Sequence, residues 1–158
     1  MKEVSRYTLA YILWAASVLL SGAIGLIAQG SLINLLAFLA SPLTANDKRA
    51  DFYIGLQIRA ADTWSYVVLG LLIVAVIAFV EHYYRTGVAQ HRLLIRFLMV
   101  TSIQMMVLSL AHLTNFIIGI SIGAVGWMNV FLPLIEIILT AVFFWLNRRL
   151  RLVKAELD

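Results

Sequence analysis

Four stretches of this chain are dominated by apolar side chains for about twenty residues each, the length a helix needs to cross the roughly 30 Å hydrocarbon core of a bilayer. They cover residues 7–28, 64–84, 94–118 and 124–146. A backbone in lipid must satisfy its own hydrogen bonds, so the spans are expected as α-helices. No sustained period-two alternation supports a β-barrel instead. The expected fold is therefore an all-α integral membrane protein. It is a four-helix transmembrane bundle forming one domain over residues 1–158. Composition agrees, because 63% of residues are hydrophobic and only 13% charged, too few to coat a soluble core. After four spans, little chain remains for a separate catalytic domain, so any ATP-driven chemistry would come from a partner.

Positive charge sets the orientation. Lys2 and Arg6 precede the first span. Arg85, Arg92 and Arg96 surround the second connection, and Arg148, Arg149, Arg151 and Lys154 follow the last span. The first connection holds only Lys48, Arg49 and Arg59, offset by Asp47, Asp51 and Asp62, and 119–123 holds no charge. Nine basic residues against three predict both termini on the cytoplasmic side, in a bacterial or archaeal plasma membrane. Aromatic residues at the span ends, such as Tyr7, Tyr11, Trp64, Tyr83, Tyr84, Trp127 and Trp145, fit an interfacial belt. The first apolar run is longer than a signal-peptide core, and Ala28-Gln29-Gly30 is a poor cleavage site, so a retained helix is expected. The net charge of +4 follows from this topology, and no nucleic-acid partner is expected.

Residues 30–63 are expected as an extracytoplasmic loop between helices one and two. Ser31 to Ala40 would continue helix one, lie at the interface or re-enter the membrane, with Pro42 ending it. Phe52, Ile54, Leu56 and Ile58 alternate with Tyr53, Gly55, Gln57 and Arg59, as a short strand would. Asp62 stands where an N-cap for helix two belongs.

Two polar stripes carry the functional content. On helix three, Thr101, Gln104, Leu108, His112, Asn115 and Gly119 follow at three- and four-residue steps. On helix four, Asn129, Pro133, Glu136, Thr140, Phe143 and Asn147 do the same. Polar groups facing lipid are costly, so both stripes should face protein or a hydrated cavity. With the helices antiparallel about Ser121, residues whose numbers sum to about 242 share a depth. Glu136 then falls near Gln104 and Leu108, Asn129 near His112 and Asn115, and Thr140 near Thr101. An isolated carboxylate near mid-membrane is expensive, so Glu136 needs a proton or a partner. It either forms a structural hydrogen bond or handles a proton or substrate. His112 is a hydrogen-bonded core residue, a proton-transfer partner of Glu136 or a haem ligand. Haem lacks a second axial group at that depth, since His82 and His91 lie far away, so no cofactor or metal is expected. Pro133 should kink helix four and free the Asn129 carbonyl.

Ser17, Ser21 and Gly25 form a small-residue stripe on helix one, for packing within the bundle or for dimerisation. Glu81 and Arg85 are placed to pair one turn apart. Arg148, Arg149 and Arg151 should meet anionic headgroups of membrane lipids. The absence of cysteine excludes disulfides, thiol catalysis and cysteine-ligated metal. No phosphate loop, dinucleotide fingerprint or zinc-protease motif occurs, which argues against an enzyme. The leading expectation is a non-catalytic subunit or accessory component of a larger membrane assembly, with other membrane subunits or copies of itself as partners. The alternatives are a proton-linked transporter or channel using Glu136, and an intramembrane cofactor- or quinone-binding subunit.

Overall fold

A computed structural model describes residues 3–44 and 48–155, with side chains described for 5–42 and 48–152. The described residues form four α-helices and no strand: α1 Glu3–Thr44, α2 Lys48–Ala89, α3 Leu93–Ser121 and α4 Trp127–Ala155. Each is long and apolar enough to cross a membrane. Lys2 and Asp47 lie outside the described residues, as does the side chain of Lys154.

Helix continues through most of the expected outer loop, which corrects that reading. α1 runs on through Ser31, whose Oγ donates to the Ile27 carbonyl at 2.9 Å within the same helix. Pro42 lies inside the last turn rather than ending it. Proline removes the N–H that would pair with the Phe38 carbonyl. Ser41 Oγ donates to that oxygen instead, at 2.8 Å. The alternating segment 51–59 is helical. Ile54 and Ile58 are half-buried while Phe52 and Leu56 are exposed, and the half-buried face continues through Ala61, Ser65 and Leu69. Asp62 sits inside α2 and caps nothing.

α2 and α3 each close at the C-terminal end on a left-handed residue. After α3, Gly123 has φ 71°, and Gly123 and Ala124 N–H groups bond the Ile120 and Gly119 carbonyls at 3.1 and 2.9 Å. This is a Schellman end, and glycine adopts the required φ without steric cost. After α2 the same pattern closes on His91, at φ 53°, with His91 and Arg92 N–H groups bonding the Val88 and Gly87 carbonyls.

Three hydrogen-bonded seams give the order α2–α1–α3–α4. α1 and α2 run antiparallel, with Trp14 Nε1 donating to the Ile77 carbonyl at 3.2 Å. α3 lies parallel to α1 and antiparallel to α4, and among the described residues α4 packs against α3 alone. The main apolar core lies near the α2–α3 turn, where Val80, Tyr84 and Val100 are buried against Leu13, Trp14 and Phe97. Elsewhere the usual partition is inverted. Ser17, Ser31, Thr101, Ser102, Gln104, Ser109, Glu136 and Asn147 are buried, while Leu19, Leu71, Trp127 and Phe144 are more than 65% exposed.

Candidate functional site

The seam between α3 and α4 centres on His112 and Glu136. His112 Nδ1 lies 2.7 Å from Glu136 Oε1 and 3.0 Å from Oε2. The side chains are 23% and 8% exposed respectively. A proton joins them, either on Nδ1 and donated to the carboxylate or on the carboxyl and donated to Nδ1. On the basic side of this pair, Thr140 Oγ1 donates to the Glu136 carbonyl at 2.8 Å. Ser102 Oγ donates to the Thr140 carbonyl at 3.4 Å, and Asn147 Nδ2 to the Ile95 carbonyl at 2.9 Å. Pro133, one turn from Glu136, is buried, and α4 continues through it.

The depth rule holds at Ser102–Thr140 and Ile95–Asn147 and shifts at Glu136, which meets His112 rather than Gln104 or Leu108. Helical Cα–Cβ bonds lean toward the N-terminus. In an antiparallel pair the His112 and Glu136 side chains therefore lean toward each other across more than one turn. Asn129 does not meet His112 or Asn115. It is exposed near the start of α4, and its N–H bonds the Gly126 carbonyl.

The polar face of α3 is shared between two neighbours. Gln104 faces α1, where Nε2 donates to the Ser17 carbonyl and to Ser21 Oγ, both at 2.7 Å. Asn115, three turns further along, also faces α1. Its Nδ2 donates to Ser31 Oγ at 2.8 Å, and its Oδ1 accepts from Asn34 at 3.4 Å. Thr101 is also buried, and among the described residues Thr101 Oγ1 and Gln104 Oε1 find no hydrogen-bond partner. The small-residue stripe of α1 faces inward. Ser17 Oγ bonds Tyr84 OH at 2.8 Å, and Gly25 lies against Leu69 of α2.

Two polar layers emerge that no single-helix stripe displays. One joins Tyr84, Ser17, Ser21, Gln104, Ser102 and Thr140. The other lies about 16 Å along α3, from the eleven-residue step at 1.5 Å per residue. It joins two clusters at similar height: Gln29–Asp62–Ser65 and Ser31–Asn34–Asn115. In the first, Gln29 Nε2 donates to Asp62 Oδ1 at 2.6 Å and to Ser65 Oγ at 3.0 Å. The α1–α2 and α1–α3 seams therefore each carry a polar cross-link in both layers, and the α3–α4 seam carries Ser102–Thr140 in the first and His112–Glu136 between the two. Tyr84, read as an interfacial aromatic, is 1% exposed, and its one-turn spacing from Val80 and Val88 signals a buried face. Gln29 and Asp62 carried no periodic signal. Ser102 and Ser109, both buried, are seven residues apart, which places them together on the α4 side.

Glu81 and Arg85 pair at 3.5 Å. Among the described residues no group of three His, Asp or Glu could hold a metal ion. A polar pair of this kind can lock two helices or pass a proton, and the two polar layers fix helix register in either case. No protein-family model, curated protein or solved structure matches this chain.

Proposed function

We propose that this chain crosses a membrane four times with both termini on the cytoplasmic side, as a non-catalytic subunit or accessory component of a larger membrane assembly. Membrane insertion is supported by the inverted partition: the outward surface is apolar and the helix seams are polar, the arrangement expected where lipid is the solvent.

The subunit reading rests on one observation, the outer half of α2. Asp62 stands level with Gln29, while Ser31 and Asn34, just beyond Gln29 on α1, are level with Asn115. α3 continues from Asn115 to Ser121 in almost wholly apolar sequence. Counted along the antiparallel pair, Arg59 and Gln57 of α2, both exposed, therefore stand level with Ser31 to Asn34 and Asn115, short of the end of α3. Lipid is a poor neighbour for an exposed amide and guanidinium at that depth. A partner helix with polar groups at the same height satisfies them. α1 and α2 are also about 63 Å long at 1.5 Å per residue, about twice the hydrocarbon thickness. They thus offer such a partner a surface reaching beyond the bilayer. In this reading His112–Glu136 clamps α4 to α3, as polar contacts do between membrane helices.

Mild-detergent purification of the tagged full chain tests this. A partner recovered at fixed stoichiometry, and lost on Arg59→Leu/Gln57→Leu substitution, is expected. A lone, monodisperse chain contradicts it.

One observation favours a second reading, a proton-linked transporter. His112 and Glu136 share a hydrogen bond of 2.7 Å between two membrane helices, the groups and the spacing that a proton relay uses. Glu136→Gln should then abolish pH-driven flux in liposomes, and unchanged flux removes the carboxylate from that mechanism.

A further inference from the structure

At its basic end the α3–α4 seam opens into a cavity of about 250 Å³. Met99, Ile103 and Phe144 wall it, the buried Ser102 and Asn147 border it, and the exposed Arg148 and Arg151 complete its lining. The Asn147–Ile95 hydrogen bond ties the last turns of α4 to the first turns of α3, so the cavity sits beside a fixed joint. Arg148 and Arg151, three residues apart, lie on one side of α4. Arg149 does not line the cavity, and its guanidinium sits 5.2 Å above the Trp145 ring. Among the described residues neither Arg148 nor Arg151 pairs with a carboxylate, and Arg151 Nη2 donates to Met99 Sδ at 3.4 Å. A thioether is a weak acceptor, whereas a guanidinium offers five donors in a fork that fits phosphate.

We propose that this cavity is a binding site for one anionic glycerophospholipid. The phosphate sits between Arg148 and Arg151, and the upper part of an acyl chain lies along Ile103 and Phe144. The site rests on the membrane reading above. It differs from diffuse attraction between a basic tail and a charged leaflet, which depends on charge alone and weighs Arg149 equally. The cavity singles out two of the three arginines and requires an apolar wall.

The test titrates the full chain, purified in a non-ionic detergent, with phosphatidylglycerol or phosphatidylcholine of identical acyl chains, and counts bound lipid by native mass spectrometry. Phosphatidylglycerol should bind at least tenfold more tightly than phosphatidylcholine. Arg148→Ala and Arg151→Ala should each lower that affinity about tenfold, and Arg149→Ala less than twofold. Ile103→Trp, which fills the cavity and keeps every charge, should also lower it about tenfold. Circular dichroism and elution volume check that each variant keeps its fold. An Arg149→Ala loss equal to the others, an Ile103→Trp variant with undiminished binding, or equal binding of the two lipids would overturn the site. Displacement of the lipid by millimolar inorganic phosphate would reassign it to a free anion and overturn the lipid assignment. A chain that stays monodisperse without detergent would overturn the membrane reading itself. Failed selectivity in a detergent-dependent chain overturns this site alone.

Discussion

Removing His112 should destabilise this protein more than removing Glu136, although both deletions break the same hydrogen bond. The difference lies in what each leaves behind. His112→Ala strands a carboxyl that is 8% exposed and has lost its Nδ1 partner, whereas Glu136→Ala strands an imidazole that is 23% exposed and can reach other partners. Breaking a buried pair by deleting one member costs about 3–5 kcal/mol in soluble proteins. Hydrogen bonds between membrane helices are worth less, about 0.6 kcal/mol on average and about 1.7 at most, because separated helices in lipid also find partners. In the membrane reading the second scale governs the coupling between the two side chains, since detergent unfolding separates helices without hydrating them, and each truncation to alanine adds lost packing. The expected costs are about 2–3 kcal/mol for His112→Ala, about 1–2 for Glu136→Ala and under about 1 for Glu136→Gln, whose Oε1 still accepts from Nδ1–H. The double alanine variant should cost less than the sum of the singles by about 1–1.5 kcal/mol. Reversible SDS titration in mixed micelles, followed by circular dichroism and tryptophan fluorescence, measures all four. Additivity within about 0.5 kcal/mol, or a costlier Glu136→Ala, would refute the reasoning.

The same titration checks three further expectations. Ser17→Ala leaves the 1%-exposed Tyr84 hydroxyl without its partner and should cost about 1–3 kcal/mol. Tyr84→Phe should cost about 1 kcal/mol or less, because the Ser17 hydroxyl can turn back to its own helix. Gly25→Ala puts a Cβ 2.5 Å from Leu69 Cδ1, the movable end of a side chain, and alanine returns about 1 kcal/mol of helix propensity, so the net change should be near zero. Gly25→Ile overfills the seam and should cost about 1–3 kcal/mol. His91→Gly removes a non-glycine residue from φ 53° and should stabilise by up to about 1 kcal/mol, less whatever the 2.7 Å Arg6–His91 contact contributes.

The apolar runs made four helices legible, because length and hydropathy alone decide which segments can cross a bilayer. Their ends were not legible. Pro42 looks like a breaker, but the Ser41 hydroxyl pairs with the carbonyl that proline leaves free. The 51–59 segment misled because Ile54 and Ile58 satisfy periods of two and four equally. Only their continuation through Ser65 and Leu69 decides for helix. The polar stripe of α3 was visible, yet its division was not. A helix with two neighbours shows one broad stripe in sequence, and only the packing sends Gln104 and Asn115 to α1 and His112 to α4. Asp62 was invisible as a seam residue because its partner Gln29 stands 33 positions away, on a different helix.

The central claim is that four helical rods thread the bilayer with their polar seams facing inward. The chain has no cysteine, so single cysteines can be placed on a silent background. Replacing Gln90, Gly123 and Arg149 in turn, and reacting sealed vesicles with a membrane-impermeant maleimide, reads the side of each connection directly. Gln90→Cys and Arg149→Cys should label from one face, Gly123→Cys from the opposite face, and a cysteine at Ser109 from neither. Labelling of Gly123→Cys and Gln90→Cys from the same side would mean that α3 does not cross, and the account would be wrong.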